Sequence, residues 1–170
     1  GKQWQALPAE ARQLWNEVDA QRARVGEAHP DYAVSLNNLG GYCRQQGDYG
    51  RAEALFQQAA EIWKKSLGEA HPDYATGLDN LAAVYLTLGE FAKARALQSQ
   101  ALTLRKAAFG DEHAETARSL NNLAMTTRSL GDYVTAESYY RQALEIRRKT
   151  LGPDHVYVAH GLNNLAFLYN

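Results

Sequence analysis

The sequence of 170 residues lacks the features that mark several protein classes. It contains one cysteine, Cys43, which excludes an internal disulfide framework and a cysteine-based zinc site. Its longest apolar stretches run for only a few residues, far short of the ~20 that span a bilayer. Because 18 Lys+Arg face 19 Asp+Glu, there is no basic field to attract nucleic acid. These absences leave an ordinary globular composition, with enough length for one domain.

The first residues, Gly-Lys-Gln-Trp, have neither the charged nor the apolar region of a signal peptide, and no initiator Met. We interpret them as a trimmed start. Together with the single free thiol, the missing signal favours an intracellular, cytoplasmic location.

An internal repeat of constant length organises the chain. Three full copies occupy residues 29–70, 71–112 and 113–154, and a shorter fourth copy occupies 155–170. The full copies share ten identical columns, and the fourth copy matches all five columns that it reaches. Two of these columns consist of His29, His71, His113 and His155, and of Asn38, Asn80, Asn122 and Asn164.

Each full copy is predicted to form two helices. In the first copy, His29 is an N-cap candidate and Pro30 suits the first helical position. Apolar residues at three- and four-residue spacing continue from there to Gly47, a C-cap glycine. A second apolar helix follows and ends at Gly68.

The last turn of the second helix is basic in every copy. Positive charge there favours the negative end of the helix dipole. We therefore interpret these residues as solvated caps in preference to a phosphate-binding patch. They are Lys64, Lys65, Arg105, Lys106, Arg147, Arg148 and Lys149.

Residues 1–28 are predicted to hold one further amphipathic helix, from Pro8 to Val25, that caps the array of residues 29–170. Its apolar stripe begins at Leu7. We expect about eight helices in all: an all-α solenoid of stacked antiparallel helix pairs. The fourth copy supplies a first helix alone. Its apolar residues are expected to be partly uncovered, which favours self-association: Tyr157, Leu162, Leu165, Phe167 and Leu168.

The repeats resemble the tetratricopeptide repeat, through Leu39-Gly40, Ala52, Phe56 and Ala59 in the first copy. Their length and the pattern HPDYAxxLNNLA are similar to the kinesin light chain type. The resemblance covers residues 29–170 and implies a right-handed superhelix. In that family the first helices line a concave groove that holds an extended peptide of a partner.

The resemblance also implies which side chains face this groove, because the residue before the Leu of each first helix does so. Helical geometry independently separates a stripe at 34, 38, 41 and 45 from the apolar stripe at 36, 39, 40 and 43. The groove residues expected are Asn38, Asn80, Asn122, Asn164, Asn121, Arg118, Arg128, Arg44 and Met125.

An asparagine amide offers two donors and one acceptor, so a row of them suits the backbone of an extended ligand. The alternative is that these amides satisfy carbonyl groups inside the scaffold. Three arginines against Asp79 give the groove a net positive charge, which is compatible with an acidic or aromatic-acidic peptide. Met125 can supply an adaptable apolar contact.

Sites for a metal, a cofactor or catalysis are not predicted. Successive repeated histidines are separated by two helices that pack ~8–10 Å apart, so they cannot converge on one zinc ion. The sequence has no G-x-S-x-G, P-loop or H-E-x-x-H motif. Cys43 occupies a packing column, and we expect no enzyme.

Three functions therefore compete. The first is a protein-interaction scaffold that binds a partner peptide in the groove. The second is a structural element that assembles with other copies through its C-terminal helix. The third is a sensor segment of a larger signalling protein.

Overall fold

The computed structural model describes residues 8–169, and within this range the chain forms eight α-helices and no strand. This confirms the all-α repeat fold. The helices are α1 (Ala9–Val25), α2 (Pro30–Gln45), α3 (Tyr49–Leu67), α4 (Pro72–Thr87), α5 (Phe91–Phe109), α6 (Ala114–Ser129), α7 (Tyr133–Leu151) and α8 (Val156–Ala166). Leu7, predicted to begin the stripe of α1, lies outside the described residues.

The helices begin and end where the repeat predicts. His29 is the N-cap of α2, and its Nδ1 accepts a hydrogen bond from the backbone N–H of Asp31 at 3.1 Å. The histidines at 71, 113 and 155 do the same for the residue two positions on. Gly47, just beyond α2, has a φ of 79°, a conformation that favours glycine. The repeated histidine is thus a helix cap.

The chain divides after Val84 into two compact units. In the N-terminal unit, α2 packs against α1 and α3. Gly40 lies directly against the ring of Phe56: a Cβ added to this glycine would stand only 2.9 Å from the ring. The absent side chain therefore lets these two helices approach closely. Leu36 and Leu39 of α2 complete this buried contact.

In the C-terminal unit, α6 packs against α5 and α7, and α7 packs against α8. One apolar cluster joins α5, α6 and α7 through Leu102, Leu120 and Ile146. A second cluster joins α6, α7 and α8 through Tyr140 and Leu165. Leu165 is only 9% exposed, so its predicted exposure was wrong: it turns toward Tyr140.

No helix within residues 8–169 is both long and apolar enough to cross a membrane.

Candidate functional site

The first helix of the first repeat, α2, has one buried stripe and one exposed stripe, whereas Asn80 on the matching face of α4 is half-buried. On α2, Leu36 and Cys43 are buried, whereas Val34 and Asn38 are exposed. This separation confirms the helical stripes predicted from the sequence. It leaves the side chains before each conserved Leu free of the apolar core.

Asparagine side chains join neighbouring first helices. In the N-terminal unit, Nδ2 of Asn80 on α4 donates to Oδ1 of Asn37 on α2 at 2.6 Å. In the C-terminal unit, Nδ2 of Asn164 on α8 donates to Oδ1 of Asn121 on α6 at 2.9 Å. Each bond uses one of the two amide hydrogens of the donor. Within residues 8–169, the second hydrogen and the acceptor oxygen of Asn80 and Asn164 make no further hydrogen bond.

The other two groove asparagines are placed differently. Asn38 is exposed and Asn122 is half-buried. Among the residues that the structure describes, neither side chain makes a hydrogen bond. Both amides can therefore offer their full set of donors and acceptors.

The predicted arginines do not carry equal free charge. Nη2 of Arg118 is paired with Oε2 of Glu115 on the same helix. Within residues 8–169, Arg44 and Arg128 have no ion pair. Arg44 on α2 and Arg128 on α6 thus carry positive charge that no described carboxylate pairs with, whereas Glu115 neutralises part of the charge of Arg118.

Met125 is the exposed apolar residue of α6, at 43% of its surface. Its Sδ accepts from Nδ2 of Asn121 at 3.7 Å, so the thioether lies beside the amide pair.

Three of the predicted residues meet in one concavity of the N-terminal unit. It has a volume of about 330 Å³ and opens where Gly41 leaves the α2 surface without a side chain. Asn38, Arg44 and Asn80 share its wall with Phe56. The remaining lining residues are Glu10, Leu14, Asn37, Tyr42 and Gln45. In the C-terminal unit, α6 carries Arg118, Asn121, Asn122, Met125 and Arg128, and α8 carries Asn164.

Sequence reasoning missed the buried arginine of α5. Arg105 was expected to be a solvated cap, but its side chain is 1% exposed. Its Nη1 donates to Oγ of Ser119 at 2.6 Å, and its Nε lies 3.5 Å from Oε2 of Glu115. The signal was present in the repeat, because the same column holds Trp63, a residue that seldom faces water.

Cys43 is buried, as its packing column predicts. Burial raises the pKa of its thiol above the ordinary value of 9.0, and nearby Asp48 adds to this effect. The thiol is therefore neutral at physiological pH and a poor nucleophile.

The sequence model of the tetratricopeptide repeat matches residues 2–65, 42–107, 75–149 and 115–170. The chain belongs to the tetratricopeptide repeat family. Proteins built of these repeats are generally non-enzymatic scaffolds. Among curated proteins, none matches this sequence.

Solved tetratricopeptide structures of the kinesin light chain type share this fold. One is a Podosopora anserina protein that is described as a kinesin light chain with nearly identical TPR-like repeats. It has a TM-score of 0.80 and 24% identity over 94% of this chain and 75% of that one. BtubC (BKLC) from P. vanneervenii has a TM-score of 0.79 and 27% identity, and the match covers 95% of this chain and 63% of that one. These likenesses confirm the tetratricopeptide repeat fold.

A third similar structure contains a bound peptide. It is the first TPR of Spaghetti (RPAP3), bound to the HSP90 peptide SRMEEVD. Its TM-score is 0.62, with 18% identity over 83% of this chain and 93% of that one.

Proposed function

We propose that this chain is a protein-interaction scaffold that holds an extended peptide segment of a partner against the exposed faces of its first helices. The observation that carries the proposal is the concavity of the N-terminal unit, where Asn38, Asn80 and Arg44 converge. Amides that retain free donors and acceptors suit the backbone of an extended chain, whatever its side chains.

The unpaired guanidinium groups of the first helices favour an acidic segment. Arg44 and Arg128 offer guanidinium groups without an internal carboxylate partner in the described part of the chain, and guanidinium forks bind carboxylates in bidentate fashion. The peptide bound by the similar Spaghetti domain, SRMEEVD, is itself rich in acidic residues. We extend this preference to the present chain, with aromatic residues as a second element that Met125 can contact.

The test is a titration of fluorescent aromatic-acidic decapeptides, with charge-swapped decapeptides as ligand controls. We expect the double variant Asn38→Ala/Arg44→Ala to weaken binding by about 1–3 kcal/mol, because polar groups of the bound peptide lose their partners in the concavity. The matched control is Gln142→Ala/Arg148→Ala, which removes an amide and a guanidinium from the exposed surface of α7.

Unchanged affinity in the first-helix variant would remove Asn38 and Arg44 from the site and contradict binding in the concavity. Equal affinity for the charge-swapped decapeptides would contradict the acidic preference.

A second candidate function is self-association through α8. Leu162 is 46% exposed, whereas Leu36 and Leu120, which occupy the same column of earlier repeats, are 2% exposed. Phe167 and Tyr169 add exposed apolar surface at 67% and 65%. We expect Leu162→Lys to reduce such association, and light scattering checks it. A mass of 18.9 kDa that does not change with concentration would contradict this function.

A further inference from the structure

One column of the second helices changes its chemistry along the repeat. It holds Trp63, Arg105 and Arg147, each one full repeat from the next. In the C-terminal unit, the two arginines occupy equivalent positions on α5 and α7, and each faces the first helix that follows. The partners of these two arginines differ.

Arg105 is paired with two side chains of α6. Its guanidinium donates to Ser119 and lies beside the carboxylate of Glu115. The same Glu115 oxygen also accepts from Nη2 of Arg118. One carboxylate therefore bridges two cations, one from the second helix and one from the first helix of the next repeat.

One repeat later, the carboxylate that lies between the two cations is absent from the equivalent position. At the equivalent positions of the next copy, Glu115 becomes Tyr157, Ser119 becomes Gly161, and Arg118 becomes His160. The second-helix cation is retained as Arg147, and a basic side chain still stands in the place of Arg118. The acidic group between them is missing.

Arg147 has only neutral partners within residues 8–169. Its Nη1 donates to the backbone carbonyl of Tyr157 at 3.3 Å, and its guanidinium carbon lies 5.7 Å from the centre of the Tyr157 ring. The Tyr157 ring meets the ring of His160 edge-on at 6.0 Å. On α7, the carboxylate of Glu145 lies 3.2 Å from Nζ of Lys149.

The environment of Arg147 is nevertheless that of a partly desolvated cation. Its side chain is half-buried, and burial lowers the pKa of its guanidinium from the ordinary value. Of the N–H groups of this guanidinium, only Nη1 makes a hydrogen bond within residues 8–169, so further donors remain for an anion. A cation in this situation gains more from an oxyanion than a fully hydrated arginine does, because part of its water has already been removed.

We propose that Arg147, Tyr157 and His160 form a binding site for a carboxylate side chain of a partner protein, which would supply from outside the charge that Glu115 supplies one repeat earlier. The ligand class is a glutamate- or aspartate-bearing segment, since the occupant of the equivalent position is a glutamate. The site stands at the start of α8 and does not depend on the asparagine amides of the proposed peptide-binding face.

The test is a nuclear magnetic resonance titration that follows the Nε–H signals of the arginine side chains. The probe is acetyl-tetraglutamate amide, added to the full chain at constant ionic strength. We expect a saturable shift of the Arg147 signal. The Arg105 signal is the internal control, and it stays in place because its carboxylate is already supplied.

Tyr157→Glu is the decisive variant, because it restores the internal carboxylate. We expect the Arg147 signal to move without any probe and to lose its response to the probe. Tyr133→Glu makes the same change at an exposed tyrosine of α7 and is expected to leave the response intact.

Four outcomes overturn the proposal: an Arg147 signal that ignores the probe, an equal response in Tyr157→Glu, a response lost in Tyr133→Glu, or a stronger response to an acetyl-phosphoserine peptide, which would assign the site to phosphate. The variant Asn38→Ala/Arg44→Ala separates this site from the peptide-binding face. It is expected to leave the Arg147 response unchanged.

Discussion

In both units a second helix packs against the next first helix, but the residues at the equivalent contact differ in chemistry. In the N-terminal unit, Trp63 of α3 lies against Gly77 of α4, where an added Cβ would stand 3.4 Å from the indole ring. In the C-terminal unit, the equivalent Arg105 of α5 lies against Ser119 and Glu115 of α6. A large ring is thus paired with a missing side chain, and a cation is paired with a hydroxyl and a carboxylate.

This comparison shows how a repeat protein separates backbone geometry from contact chemistry. The helix bounds recur at the same positions of each repeat, whereas the contact between second helix and next first helix is set by a pair of residues 14 positions apart. The apolar pair depends on shape, and the polar pair depends on charge compensation. Substitutions that remove a charge and substitutions that add volume should therefore have their largest effects in different units.

The largest expected effect is the loss of charge compensation at Arg105. Glu115→Ala removes the carboxylate beside the buried guanidinium of Arg105, and because Glu115 itself is 38% exposed we expect the free energy of unfolding to fall by about 3 kcal/mol. Asp73→Ala is the matched control, because Asp73 occupies the same column but Trp63 stands in place of the arginine. It should lose only the favourable contact of an acidic residue with the helix N-terminus, about 0.3–1 kcal/mol.

Urea unfolding followed by far-ultraviolet circular dichroism measures both changes. Equal losses in the two variants would show that the buried arginine is not what makes the C-terminal contact sensitive.

The next effect concerns volume in the N-terminal unit. Gly77→Ala places a Cβ 2.8 Å from the Cβ of Ala60 and 3.1 Å from its Cα, so a helix must shift. We expect a loss of about 1–3 kcal/mol from this overpacking. Gly41→Ala meets no atom within 4 Å and should instead stabilise the chain by roughly 0.5–1 kcal/mol, because alanine favours the helix. Thermal unfolding measures the stability of both variants. If the two substitutions change the melting temperature in the same direction, the close contact at Gly77 is contradicted.

A smaller effect should be equal in the two units. Asn37→Ala and Asn121→Ala each remove the acceptor of one inter-helix amide bond. We expect each to lower the free energy of unfolding by about 0.5–1.5 kcal/mol. Asn38→Ala is the control at an exposed amide without such a bond, and it should change stability less. Urea titrations compare the three, and a clear difference between the two bond variants would show that the pairs are not equivalent.

The smallest effect is on the chemistry of Cys43. Because burial raises its pKa above 9.0, the folded state keeps the thiol neutral at a pH where the unfolded chain ionises. This contribution to stability is complete below pH 9.0 and is lost as the pH rises through the folded-state pKa. At pH 8, we expect a thiol reagent to react more slowly with the folded chain than with the chain in urea. Equal rates would contradict the burial.

Most of the fold followed from the repeat, because its signals are local. A histidine cap, a glycine of positive φ and an apolar spacing of three and four residues each act within one helix. Gly47 and His29 were therefore predictable from their neighbours alone. The exposure of Leu165 was not, since it depends on how α8 turns toward Tyr140 of another helix.

The candidate site was predictable as a set of columns but not as a set of bonds. The columns of Asn37 and Asn80 were both apparent in the repeat, yet their hydrogen bond depends on the distance between two first helices. Arg105 was missed because a basic last turn suits the helix dipole whether or not the residue is buried. Trp63, which occupies the column of Arg105 in the preceding copy, indicates that this column is buried, and a single copy does not contain that comparison.

The most direct measurement of the proposed function follows the side-chain amide signals of the chain during titration with an aromatic-acidic decapeptide. The repeat supplies its own control, because Gln58, Gln100 and Gln142 form an equally regular amide column on the second helices. The account predicts that the Nδ2 signals of Asn38 and Asn80, which line one concavity, shift with one common dissociation constant while the glutamine signals stay in place. Shifts confined to the glutamines, or spread equally over both columns, would contradict binding at the first-helix faces.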